Sequence, residues 1–216
     1  MILDIKKMSL IKKDCALAAV CFLTVAIIAG TILGAATGEG NIMPVIMVIG
    51  GYTCISMFFK IIFLAGEVSR GLGFGMTRKK LFRYSRIYDF AELCIVLVIL
   101  AILLRGEYFS LEIRLGLLCF GVFMWVQGLA GNAIVVFGRT AYVIYYFSFL
   151  ALCILLPKVF ELSATAQNFA IWFLDAIAGD SIVSSLGALV VILIFVAAGL
   201  LVNWTTFRKL PVVQSV

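Results

Sequence analysis

The sequence contains no histidine, and charged residues make up only 13% of its 216 positions. Without an imidazole, the common zinc and Ser/His mechanisms lack the ligand or base they depend on. No pair of aspartates lies within an apolar run either, so an intramembrane enzyme is the weakest of the functional classes. The cysteines, Cys15, Cys21, Cys54, Cys94, Cys119 and Cys153, are scattered through apolar runs without a CxxC pair, and read as small packing residues. No GxxxxGK[ST] stretch occurs, and Gly71, Gly73 and Gly75 neither fit GxGxxG nor follow a strand. The chain therefore has no recognisable site for ATP, and no metal or cofactor of its own is expected.

What fills the sequence is apolar: 64% of residues are hydrophobic and the mean hydropathy is +1.20. A soluble globule of this composition would have too little polar surface, so a membrane protein is the class that fits. The net charge of +6 then becomes a question of where the cations lie along the chain, and no nucleic-acid partner is expected. The first apolar run, residues 15–36, is too long for the core of a signal peptide. A bulky Val20 precedes Cys21 where a lipoprotein signal needs a small residue, so the run reads as a retained first span.

Apolar runs at 15–36, 43–65, 88–104, 115–137, 141–156 and 184–205 predict six transmembrane helices in a single all-α polytopic domain covering 1–216. With the N-terminus inside, the inner segments hold Lys6, Lys7, Lys12 and Lys13; Arg70, Arg78, Lys79, Lys80, Arg83 and Arg86; Arg139; and Arg208 and Lys209. Only Arg105, Arg114 and Lys158 fall outside. This asymmetry places both termini in the cytoplasm. Glu39, Glu107, Glu112, Glu161, Asp175 and Asp180 make the outer face mildly acidic.

Two connections are long, the inner one at 66–87 and the outer one at 157–180. In the outer one, Phe169, Trp172, Phe173 and Ile177 recur at helical spacing and predict a short interfacial helix over 168–180. In the inner one, Thr77 is a candidate N-cap for a helix starting at Arg78. On that helix Lys79, Arg83 and Arg86 share a stripe, with Leu81, Tyr84 and Tyr88 facing the other way. Before it, Leu72, Phe74 and Met76 alternate with Gly71, Gly73 and Gly75, a bendable strip of exposed apolar side chains suited to a partner. Positive charge in such a loop also fixes orientation and attracts anionic lipid.

Lys60 is the costliest residue within a span. It has two readings: snorkelling towards the cytoplasmic surface, or pairing with Glu92 at similar depth on the next span. Ala26, Gly30 and Gly34 give the first span a small-xxx-small ridge for close helix approach. Tyr142, Tyr145, Tyr146 and Phe149 share one face of the fifth span, and Gln127 and Asn132 add polarity to the fourth. Together these six are candidates for a path for amphipathic cargo, with packing and interface anchoring as the alternative.

Six spans, a basic N-terminal segment, a large basic second inner connection with "FGMTRKKLF" and a helical outer segment before the last span resemble the permease of an ABC-2 type ABC exporter. The likeness covers the whole chain as layout, and its sequence-specific part is residues 75–82. It implies an interfacial elbow helix over 2–13. It also implies a coupling helix over 67–82, with Glu67, Arg70, Leu72, Phe74, Met76, Thr77, Arg78, Lys79 and Phe82 docking on an ATP-binding subunit. Two copies of that subunit would bring ATP and Mg, and the permease would dimerise with itself or a sibling in a bacterial cytoplasmic membrane. The expected cargo is a peptide or a hydrophobic or amphipathic molecule. The alternative is the substrate-binding subunit of an energy-coupling-factor vitamin uptake system, which also has six spans and uses small-residue faces on its first helix.

Overall fold

The computed structural model describes residues 2–37, 42–106, 109–165, 167–168, 172, 177 and 182–210. Helices dominate, and no strand occurs among the described residues. In chain order they are α1 (Ile2–Ile11), α2 (Lys13–Thr37), α3 (Ile42–Gly73), α4 (Arg78–Leu103), α5 (Phe109–Val126), a π-helical turn (Gln127–Gly131), α6 (Asn132–Phe137), α7 (Arg139–Leu162) and α8 (Ile182–Phe207).

Four stretches are long and apolar enough to cross a membrane: Ala16–Ala36, Met47–Leu64, Phe109–Phe137 and Leu186–Phe207. Their outward faces carry Val20, Ile32, Leu129, Val191 and Leu201, all more than half exposed, as contact with lipid requires. The protein is therefore a membrane protein. Of the six apolar runs expected to span, that at 88–104 lies in α4 and its C-cap Leu104, and that at 141–156 lies inside α7. The expected outer helix at 168–180 falls largely outside the described residues, as do Glu39, Glu107, Asp175 and Asp180.

The small-residue ridge on α2 is used within the chain. Gly30 and Gly34 are buried, and a Cβ on Gly51 of α3 would lie 3.6 Å from the Ala26 Cβ, so α2 and α3 pack closely. One apolar core, centred on Val48, Ile49, Leu93, Val96 and Met124, joins α2, α3, α4, α5 and α8. A second gathers Met8, Ile11, Val68, Met76, Leu81, Phe207 and Leu210 beneath the junction of α3 and α4.

That junction differs from the long loop expected at 66–87. Helix α3 continues to Gly73 and α4 starts at Arg78, leaving only residues 74–77 between them. The Met76 N–H donates to Gly71 O and the Gly75 N–H to Leu72 O, with Gly75 at φ +74°, a Schellman stop that favours glycine. Thr77 then caps α4, its Oγ1 accepting from the Lys80 N–H at 3.4 Å. The corner is tight because Gly71 lets the helices touch: a Cβ there would stand 2.5 Å from Leu81 Cδ1.

The expected acidic outer segment also differs at Glu112, and Arg114 nearby is likewise withdrawn from water. Both side chains are buried on α5, and Arg114 donates through Nη2 to Ser110 Oγ at 2.7 Å.

Candidate functional site

Beneath the α3–α4 corner, three cations and three carboxylates from three parts of the chain meet away from water. Lys12 follows α1, Lys60 and Glu67 lie on α3, and Arg86, Asp89 and Glu92 lie on α4. The spacings explain the convergence. Positions 60 and 67 are two turns apart on α3, and 86, 89 and 92 fall at i, i+3, i+6 on α4, so each set forms one stripe facing the other.

Asp89 is the hub and is 1% exposed. Its Oδ1 accepts from Lys12 Nζ at 2.5 Å and lies 3.5 Å from Lys60 Nζ, while Arg86 Nη1 stands 3.4 Å from Oδ2. Lys60 Nζ donates to Glu92 Oε2 at 2.7 Å and to the Tyr52 hydroxyl at 3.2 Å. Lys60 is therefore turned into the bundle towards α4 and is only 4% exposed, an orientation incompatible with snorkelling. Its ammonium also sits 5.4 Å from the centre of the Phe123 ring, a favourable cation–π placement.

Glu67 closes the network from the side of the α3–α4 corner, its Oε2 3.6 Å from Lys12 Nζ. Burial pushes its carboxyl above the ordinary range, and the Lys12 ammonium partly opposes that shift. Isolated charges at this depth would be prohibitively costly, so three of each sign in mutual contact is an arrangement burial can tolerate. Its structural consequence is that α1, α3 and α4 are fastened to each other by groups that cannot leave singly.

The other residues expected at an ATPase-coupling surface divide into two sets. Phe74 and Thr77 are exposed, and Arg70 is exposed with its guanidinium 3.2 Å from Asp14. Arg78 is half-buried and donates to Arg208 O at 3.0 Å, and Lys79 is exposed. Met76 is instead 4% exposed, and Leu72 packs against the same inner core. The strip of three exposed apolar side chains is thus a single one, Phe74, because the Schellman turn folds Met76 back under α3. Phe82 is half-buried, its ring 5.1 Å from that of Trp204 and 5.4 Å from that of Phe207. Arg86, which shares a stripe with Lys79 and Arg83, is buried, its guanidinium over the Phe82 ring at 5.5 Å and its Nη1 3.6 Å from Met124 Sδ of α5.

The candidate cargo residues do not converge on one path. Gln127 and Asn132 are buried at the π-helical turn and bond across to α8: Asn203 Nδ2 donates to Gln127 Oε1 at 3.3 Å, and Asn132 Nδ2 donates to Asn203 Oδ1 at 3.2 Å and Thr206 Oγ1 at 2.7 Å. Gly128 permits that approach, since a Cβ there would lie 2.9 Å from the Asn203 Cα. Tyr145, Tyr146 and Phe149 pack instead towards α3, and Tyr142 meets Tyr146 on its own helix. The Tyr145 hydroxyl donates to Met57 O at 3.3 Å, Phe58 meets Tyr146 and Phe149 at 5.3 and 6.2 Å, and Tyr142 lies 6.4 Å from Tyr146.

Sequence reasoning singled out Lys60, Glu92 and Glu67 but missed Lys12, Arg86, Asp89, Tyr52 and Asn203 as partners. Asp89 had a readable signal, lying one turn before Glu92 on the same face. Among the described residues no group of three or more His, Cys, Asp or Glu could hold a metal ion. No protein-family model, curated protein or solved structure matches the chain.

Proposed function

We propose that this chain is the permease subunit of an ATP-driven ABC exporter, moving a peptide or a hydrophobic or amphipathic molecule out of the cell by alternating access. The observation that carries this reading is the rigid corner. Helix α3 runs unbroken from its membrane-crossing stretch, which ends at Leu64, through Glu67 to Gly73, and the buried ions bind it to α1 and α4. A push on the exposed tip at Phe74 would therefore reach the membrane through helix and not through loop.

In this reading α4 and α7 are the third and fifth of six spans, both termini are cytoplasmic and α1 is the interfacial elbow. The coupling segment is 67–82, with Phe74, Arg70 and the start of α4 as its contact. Two ATP-binding subunits bring ATP and Mg, and the permease pairs with a second copy or a sibling in a bacterial cytoplasmic membrane. The chain itself is not catalytic. The α2 ridge is occupied by α3, which removes the feature that favoured a vitamin-uptake subunit.

The test is gentle purification of the tagged chain from its native membranes, followed by mass spectrometry of its companions. An ATP-binding subunit arriving with only this chain or one sibling permease supports the exporter. A distinct larger membrane scaffold with two ATPases supports vitamin uptake, and the absence of any ATPase overturns both.

A further inference from the structure

A groove of about 470 Å³ runs between α4 and the inner end of α8. Its chemistry is graded along its length. Lys79, Arg83 and Arg86 line one wall at i, i+4, i+7, a ridge about 10 Å long at the helical rise. Trp204 stands opposite, one turn before the end of α8, and Ile87 and Leu200 continue the groove into the apolar region. Cations, an interfacial tryptophan and then aliphatic side chains follow the order of a lipid's phosphate, glycerol and acyl chain.

The cations are available. Among the described residues Lys79 and Arg83 have no carboxylate partner. Arg86 is 6% exposed; its guanidinium lies over the Phe82 ring at 5.5 Å, and its polar contacts run through the Nη atoms, to Ser85 Oγ at 3.1 Å, Met124 Sδ at 3.6 Å and Asp89 Oδ2 at 3.4 Å. Its Nε is buried without a hydrogen-bond partner. A buried donor is normally satisfied, and this one belongs to a side chain that lines the groove. Asp89 cannot neutralise the wall, because Lys12 and Lys60 share it.

We propose that this groove binds the phosphate of an anionic phospholipid, with Lys79 and Arg83 at the headgroup, Arg86 beneath it, and an acyl chain against Ile87 and Leu200. The site stands independently of the exporter reading, since it needs only these two helices and a membrane. Its occupant would fasten α4 to α8 where few other contacts do.

The full chain in nanodiscs of phosphatidylcholine, with or without phosphatidylglycerol, tests this by native mass spectrometry and thermal unfolding. Wild type is expected to retain phosphatidylglycerol and to unfold at a higher temperature when it is present. Lys79→Gln with Arg83→Gln, both exposed, should weaken retention at least about tenfold. Lys6→Gln with Lys13→Gln removes as many exposed charges elsewhere and should change nothing. Absence of retention by wild type, equal retention by the groove variant, or equal loss in the control variant overturns the site. Inorganic phosphate raising the unfolding temperature as far as phosphatidylglycerol does would overturn the lipid assignment.

Discussion

Lys12 Nζ lies 2.5 Å from Asp89 Oδ1, fastening the start of the chain to α4 across 77 residues of sequence. Both side chains are almost fully buried, so neither can exchange its partner for water. Asp89→Asn would leave Lys12, Lys60 and Arg86 with two carboxylates between them. Removing one member of a buried ion cluster costs about 3–5 kcal/mol, so most of the stability of a marginal fold should go. Lys12→Met removes the matching cation, and the double variant should lose less than the sum of the singles. Thermal unfolding of the four proteins in detergent measures this, and additivity within about 0.5 kcal/mol would show that the contact contributes no coupling.

The pH dependence of stability should carry the signature of Glu67. Burial raises the folded-state pKa of its carboxyl, so the folded protein keeps that proton to higher pH than the unfolded chain does. The stabilisation is therefore fully present below the unfolded value, about 4.3, and is lost as pH rises through the folded value. Glu67→Gln carries no titrating group there. The unfolding temperature of wild type minus that of Glu67→Gln should fall as pH rises, and a difference independent of pH would contradict a raised pKa.

Hydropathy made the apolar runs legible, and the charge of Lys60 demanded a partner, for which Glu92 was the acid at matching depth. Asp89 escaped because it stands at the edge of its apolar run, where a carboxylate looks like a headgroup contact. Its burial comes from α1 crossing over it, and nothing local to residues 86–92 encodes a cover drawn from residue 12. The burial of Arg86 was missed for the same reason, since a helical stripe of cations says nothing about Met124 of α5 meeting its guanidinium. The corner misled differently: Gly71, Gly73 and Gly75 suggested a pliable strip. Only Gly75 takes a positive φ, while Gly71 serves a close helix approach and Gly73 is the last residue of α3. The π-helical turn that aims Gln127 and Asn132 at Asn203 left no composition signal.

The π-helical turn predicts a sharp contrast between two glycines. A methyl on Gly128 would meet the Asn203 backbone at 2.9 Å, and backbone cannot rotate away. Gly128→Ala should therefore push α5 and α8 apart and strain the hydrogen bonds of Gln127 and Asn132, costing about 1–3 kcal/mol or more. Gly50 lies in α3 with nothing within 4 Å of an added Cβ. Gly50→Ala should be neutral or stabilising by up to about 1 kcal/mol through helix propensity. Equal unfolding temperatures for the two variants would rule out the close approach.

Phe74 is the residue through which the proposed coupling stands or falls. Its ring is 45% exposed, while its carbonyl accepts from Lys7 Nζ at 2.8 Å, so the backbone is held and the side chain is free to dock. Phe74→Ser should leave insertion and unfolding temperature nearly unchanged, because little packing is lost. An aromatic anchor at the centre of an interface commonly contributes more than about 1.4 kcal/mol, so association with the ATP-binding subunit should weaken at least about tenfold. Met76→Ser is the necessary contrast: at 4% exposure it should lower the unfolding temperature, so any loss of transport there would report a damaged core. Transport and ATP hydrolysis at wild-type rates in well-folded Phe74→Ser would remove the corner from the coupling path, because no other large apolar side chain of residues 67–82 is as exposed.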